Sequence, residues 1–191
     1  MRKVILYMQL TVDGFTEGPE GEMDWLKVDE ETWRFINDLL DPADTALLGR
    51  VTYEVFESSW PEVAKDPSSP KEEVEYARWI EETPKVVFSR SLDRVGWKNT
   101  RLAKGDLAEE IAELKGQPGG NMILFGGIGI ARAFMRLGLI DEYRLLVNPS
   151  LIGAGKPLFG DPEARADLRL IEAQTFASGV VGLYYETDRS A

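Results

Sequence analysis

The sequence predicts a single α/β domain with a central mixed, mostly parallel sheet and an antiparallel hairpin at its C-terminal end. Three observations carry this. Short apolar runs of strand length alternate with segments of helical period along the whole chain. Glycine-containing turns fall where strand-like runs give way to helical ones. Close to the end, two strand-like runs, Leu168 to Phe176 and Val180 to Thr187, face each other across Ser178-Gly179. No internal repeat and no linker divides the 191 residues, so they read as one domain.

Val4 to Val12 is a buried strand ending at the turn Asp13-Gly14. Residues 14–28 are irregular and rich in Gly and Glu, long enough for a functional loop. Asp29 caps a helix whose first turn carries Glu30 and Glu31, which suits the helix dipole. Trp33, Ile36 and Leu40 give that helix an apolar face, and Pro42 lies beyond its end. A strand from Thr45 to Leu48 leads through Gly49-Arg50 into a helix from Val51 to about Ser58. Residues 61–73 read as a solvated excursion before a helix near 72–82. Strands follow at Lys85 to Phe88, Met122 to Phe125 and Tyr143 to Val147, with helices over 106–115 and 128–137.

Composition narrows the chemistry. The chain has no cysteine and no histidine. Disulfides, thiolate nucleophiles, Ser-His-Asp triads, and zinc sites that depend on Cys or His are therefore excluded, and no residue cluster suggests a metal. With 22 Lys and Arg against 33 Asp and Glu, the net charge is −11, a poor match to nucleic acid or an anionic membrane. No apolar run is long enough to span a bilayer. The basic start and apolar run at Arg2-Lys3-Val4-Ile5-Leu6 is broken at Gln9, Thr11 and Asp13, so a first strand in a cytoplasmic protein is the expectation.

Three strand-to-helix or strand-end junctions stand out chemically. Gly49-Arg50-Val51-Thr52 opens a helix with free amides, a guanidinium and a hydroxyl, a setting that favours phosphate. Gly126-Gly127-Ile128-Gly129 lets a ligand approach backbone closely. Ser89-Arg90 ends a strand with a grip for a phosphate monoester. Each also has a plainer meaning, a tight turn or a solvated surface charge, and neither a Rossmann GxGxxG nor a Walker A pattern is present. All three lie at carboxyl ends of strands, where ligands of open α/β sheets bind.

Taken in order, Leu10-Thr11-Val12-Asp13-Gly14, Leu48-Gly49-Arg50-Val51-Thr52-Tyr53-Glu54, Phe88-Ser89-Arg90, Phe125-Gly126-Gly127 and Gly138-Leu139-Ile140-Asp141-Glu142, then Pro149, Leu151, Gly153, Gly155, Leu158 and Phe159, form a recognisable series. The chain resembles the dihydrofolate reductase-like superfamily, and within it the family of the C-terminal reductase domain of the bacterial riboflavin-biosynthesis deaminase/reductase. The resemblance implies a three-layer α/β/α fold and an NADPH-dependent reductase acting on a small heterocyclic or conjugated substrate, pterin- or pyrimidine-like. It implies that Gly49, Arg50, Thr52, Gly126, Gly127, Ile128 and Gly129 hold the cofactor's pyrophosphate, that Ser89 and Arg90 hold the 2′-phosphate, and that backbone around Gln9 meets the nicotinamide. It further implies a cis peptide between Gly126 and Gly127, a homodimer formed through the region after residue 142, and a mobile loop over 13–26 anchored by Trp25.

The catalytic candidates are carboxylates. Glu30 falls where dihydrofolate reductases carry a buried proton donor, with a first-turn dipole residue as the plain alternative; Asp13 and Asp24 are further candidates. Trp25, Trp33 and Tyr53, with Phe56 and Trp60, form an aromatic wall suited to a flat heterocycle, although Trp33 and Phe56 have the spacing of core residues. Tyr7 stands where the riboflavin reductases carry a lysine, which weakens the case for their phosphorylated pyrimidine. A second reading is a nucleotide-binding sensor or interaction protein of the same fold without turnover.

Overall fold

The computed structural model describes residues 1–189. Its elements are β1 (Val4–Thr11), β2 (Phe15–Glu17), α1 (Glu30–Leu40), β3 (Ala43–Gly49), α2 (Arg50–Val63), α3 (Lys71–Glu82), β4 (Lys85–Phe88), β5 (Thr100–Ala103), α4 (Leu107–Gly116), β6 (Asn121–Phe125), α5 (Ile128–Arg136), β7 (Glu142–Asn148), β8 (Lys156–Pro157), β9 (Leu168–Thr175) and β10 (Val181–Thr187).

Eight strands form one sheet in the order β5-β4-β3-β6-β1-β7-β10-β9, and β2 pairs with β8 apart from it. The strands from β5 to β7 run parallel, and β10 is antiparallel to both β7 and β9. Both faces of the parallel part are covered, which explains why β1 reads as a continuous apolar run rather than an alternation. Ile5 and Tyr7 enter one core with Phe35, Ile36 and Leu40 of α1, Tyr53 of α2, and Tyr76 and Ile80 of α3. Val4, Leu6, Met8 and Leu10 enter the other with Ile111 and Leu114 of α4, and Ala131 and Phe134 of α5. The layers are therefore helices, sheet, helices.

This arrangement opens a crevice. β3 and β6 are neighbours, yet the helix after β3 packs on one face and the helix after β6 on the other. Where adjacent strands send their helices to opposite faces, the chain leaves a cleft beyond the carboxyl ends.

The structure corrects several expected boundaries. α2 runs on to Val63 with Pro61 inside it, because Trp60 packs on Tyr76 and Trp33 and holds that last turn in place. The excursion is shorter accordingly. Strand β5 has no apolar run to announce it and exists as an edge strand on β4. Strands β2 and β8 are too short to read from sequence and form only by pairing with each other. Among the described residues no helix is long and apolar enough to cross a membrane.

Candidate cofactor cleft and active site

The five helices begin in different ways. Asp29 caps α1, accepting from the Thr32 amide, and Asp106 caps α4, accepting from the amides of Ala108 and Glu109. Both helices also carry glutamates in the first turn, as does α3. By contrast, α2 starts from Gly49 and α5 from Gly127, with no side-chain cap and no acidic residue in the first turn. Their first amides keep their hydrogen-bonding capacity and their positive dipole ends for something else.

These two helix starts meet. A Cβ on Gly49 would lie 2.9 Å from Ile130 of α5, and one on Gly127 would lie 2.9 Å from the Thr52 hydroxyl of α2. Glycine is required at both for the approach. Gly126 and Gly127 have φ of 36° and 74°, a region that other residues adopt only with strain. The bond joining them is trans, as are all peptide bonds among the described residues. The expected cis peptide is thus absent: two successive positive-φ glycines make the turn into α5 instead.

Around this junction lies a cleft of about 850 Å³, lined among others by Gly49, Arg50, Phe88, Ser89, Arg90, Lys104, Gly127, Ile128, Gly129 and Lys156. A Cβ on Gly129 would meet nothing within 4 Å, so backbone there is open to close approach. Ser89 accepts hydrogen bonds from the amides of Ser91 and Leu92, which curls the chain after β4 and leaves Arg90 on the rim. Arg90 is in no ion pair among the described residues, whereas Arg50 is held by Glu54 at 2.9 Å and Lys104 faces Asp93 at 3.8 Å. The two carboxylates of the lining are engaged: Asp106 with the α4 amides, Glu17 with Lys156. On a chain of net charge −11, four cations and two uncapped helix starts gather on one cleft, donors of the kind that hold anions. The donor set fits a ligand bearing several phosphates.

The predicted cofactor residues thus divide. Gly49, Arg50, Ser89, Arg90, Gly127, Ile128 and Gly129 line the cleft. Thr52 and Gly126 lie behind it, Thr52 packing on the glycine turn. Gln9 is half-buried further along the sheet, donating to the Tyr7 hydroxyl at 3.1 Å and accepting from Asn148 at 3.3 Å. Burial pushes the Tyr7 hydroxyl pKa far up, so it remains protonated.

The carboxylates are placed differently from an enclosed proton donor. Glu30 is on the solvent side of the first turn of α1, its side chain 70% exposed and paired with Arg34 at 2.7 Å. Asp13 accepts from the Thr11 hydroxyl at 2.6 Å and the Gly153 amide at 2.8 Å. The Thr11 hydroxyl first, and these amides with it, hold its carboxyl below the ordinary range. That makes Asp13 a pin between the end of β1 and the loop before β8. Asp24 is exposed in a turn. None of the three lines the cleft.

Among the aromatic candidates, Tyr53 is buried, its hydroxyl donating to Glu57 and accepting from the Gly96 amide, which commits it to the core. Trp33 is half-buried against Tyr76 and Trp60. Trp25 is buried in the loop with an indole N–H that has no partner among the described residues. Asn148 and Lys104 of this region escaped sequence reasoning, as did Lys156. Asn148 is fully buried and joins Gln9 to the Lys27 amide; its only signal was an amide side chain ending an apolar strand. Lys104 was invisible because β5, which it follows, was.

The fold and cleft define a class: a three-layer α/β domain with a cation-lined crevice at the carboxyl ends of its parallel strands. More particularly, the chain belongs to the family of the RibD C-terminal domain, which it matches over residues 2–182. It is 35% identical over 184 residues to the uncharacterized protein YyaP of Bacillus subtilis, covering 96% of this chain and 94% of that one. A Shewanella sp. PV-4 protein provisionally named a riboflavin biosynthesis protein superposes with a TM-score of 0.74 at 25% identity, covering 98% of this chain and 99% of that one. The Thermotoga maritima diaminohydroxyphosphoribosylaminopyrimidine deaminase/5-amino-6-(5-phosphoribosylamino)uracil reductase shares the fold, with a TM-score of 0.68 at 14% identity. That match covers 98% of this chain but 57% of the bifunctional one.

Proposed function

We propose that this protein is an NADPH-dependent reductase, cytoplasmic and acting on a small, flat heterocyclic or conjugated compound of pyrimidine- or pterin-like type. The observation that carries the reading is the pair of uncapped helix starts, α2 and α5, meeting on a cation-lined cleft in an otherwise acidic protein. Amides at Arg50 and Val51, and at Ile128 and Gly129, would take the pyrophosphate. Ser89 and Arg90, with Lys104 beside them, would take the 2′-phosphate and so prefer NADPH to NADH. When bound, the cofactor supplies the hydride; the chain supplies position and a water-poor pocket. The nicotinamide end would extend towards Gln9 and the end of β1, with Trp25 closing the loop above it.

The proton is the weaker part of this chemistry. Glu30, Asp13 and Asp24 are each in solvent or engaged elsewhere, so the reading draws the proton from water. The same observation favours the second reading, a dinucleotide-binding protein without turnover. Titrating NADPH and NADH separately, then following NADPH oxidation against a panel of pterins, flavins and pyrimidines, decides between them. Tight NADPH binding with turnover of a panel member supports the reductase; binding with no turnover supports the second reading; no binding ends both.

We also propose a homodimer. The edge strand β9 is exposed along its whole length, and Leu168, Leu170 and Ile171 are exposed on it. Such an edge invites pairing unless covered, and a two-fold interface would cover it. Light scattering at micromolar concentration tests this: twice the 21.4 kDa chain mass is expected, and the monomer mass removes the proposal.

A further inference from the structure

Lys156 lines the cleft from β8, a segment that no phosphate-binding pattern marks. Its ammonium pairs with Glu17 at 2.8 Å, and both residues line the cleft. The backbone that carries Lys156 is held from two sides. The Thr16 hydroxyl donates to the Lys156 carbonyl, and β2 pairs with β8. From α5, Arg132 donates to the Pro157 carbonyl at 2.6 Å. The neighbouring Gly155 has no room for a side chain, since a Cβ would come within 2.2 Å of the Glu17 carbonyl. A flexible cation is thus mounted on a fixed base, and its carboxylate partner ends the facing strand β2, with its side chain partly exposed.

We infer that Lys156 is a pyrophosphate-binding residue held in reserve by Glu17, which a bound dinucleotide displaces. The inference rests on the cofactor reading above. The exchange is of like for like: an oxyanion replaces a carboxylate at the same ammonium, so the lysine loses no charge partner, and its ordering is already in place before the ligand arrives. Glu17 then has no cation and faces incoming phosphate, so it must leave the cleft. Because Lys156 and Glu17 belong to the paired strands β8 and β2, gripping the phosphate also fixes the base of the loop over 14–28.

The test is a double-mutant cycle on NADPH and NADH dissociation constants, read from nicotinamide fluorescence. Lys156→Met should weaken both dinucleotides by about tenfold, the loss of one charge-assisted bond. Glu17→Gln should tighten both by about threefold by releasing the lysine. In the double variant the gain from Glu17→Gln should vanish, because no ammonium remains to be released. Thermal melts check folding, and Lys156→Gln replaces the methionine variant if that one is unstable. Three results overturn the inference while leaving the cofactor reading intact: unchanged affinity in Lys156→Met, a gain from Glu17→Gln that persists without Lys156, or a loss confined to NADPH, which would assign the lysine to the 2′-phosphate. If the wild-type protein binds neither dinucleotide, the cofactor reading fails and the inference with it.

Discussion

At the amino ends of the parallel strands, Arg2 is buried with its guanidinium bonded to the carbonyls of Gly120 and Leu114 and to the side chains of Asp44 and Thr45. At the carboxyl ends, Arg90 stands on the rim of the cleft in no ion pair among the described residues, and two helices start without caps. Both ends carry an arginine beside a glycine-rich turn, and both carry a cavity; the groove at the amino end is about 610 Å³. The difference is satisfaction. Arg2, Asp44 and Thr45 bond to one another and to the backbone around them, so that cation holds the start of β1, β3 and the turn before β6 together. The carboxyl end leaves the first amides of α2 and α5 without a side-chain cap and Arg90 without an ion pair among the described residues, capacity that a ligand could complete.

The largest expected effect lies at the satisfied end. Arg2→Met takes the guanidinium from the Gly120 and Leu114 carbonyls and the cation from Asp44, and should destabilise the protein by about 3 kcal/mol. Urea denaturation measures this, and NADPH affinity per folded molecule should not change. A loss below about 0.5 kcal/mol would mean that Arg2 is not the tie it resembles.

At the unsatisfied end the pattern should invert. Replacing Ser89 by Ala and Arg90 by Met together should leave stability within about 0.5 kcal/mol. NADPH affinity should fall by about tenfold to a hundredfold with NADH affinity nearly unchanged, because only NADPH carries the 2′-phosphate. Equal losses for both cofactors would move the 2′-phosphate elsewhere.

The smallest effect tests the helix starts. Asp29→Ala removes the α1 cap and should cost about 1 kcal/mol at neutral pH. The Thr32 hydroxyl and amide hold the Asp29 carboxyl below its ordinary range in the folded protein. A carboxylate depressed on folding stabilises above its unfolded pKa, about 3.9, and loses that contribution as pH falls through the folded value. The wild type and variant should therefore converge in stability as pH falls below about 4. A gap that is constant with pH would show that the charge takes no part in the cap.

Some of this could be read from the chain directly. The Asp29 cap, the glycine junctions at 49 and 126–127, and Ser89-Arg90 are local patterns, where a residue type meets a nearby backbone group, and the structure gathers the last three on one cleft. Lys104 and Lys156 were missed because each follows or forms a strand that exists only through a partner strand distant in sequence. Trp33 read as cleft or core, and Tyr53 read as part of the cleft wall. The hydroxyl bonds of Tyr53 to Glu57 and the Gly96 amide assign it to the core, and no periodicity could have anticipated a contact across 43 positions.

By itself, then, the sequence determined the α/β class, the order of the longer strands and helices, the absence of Cys and His chemistry, and the glycine starts of two helices. These follow from short-range rules: side-chain period, turn residues, capping types and charge count. The tertiary structure alone decided that β3 and β6 lie side by side with their helices on opposite faces, which is what makes two uncapped starts into one cleft. It also decided that the Gly126–Gly127 bond is trans, that Glu30 points to solvent beside Arg34, and that Lys156 meets Glu17. Those outcomes depend on which distant segments pack together, and that is settled by burial of the two cores rather than by any local pattern.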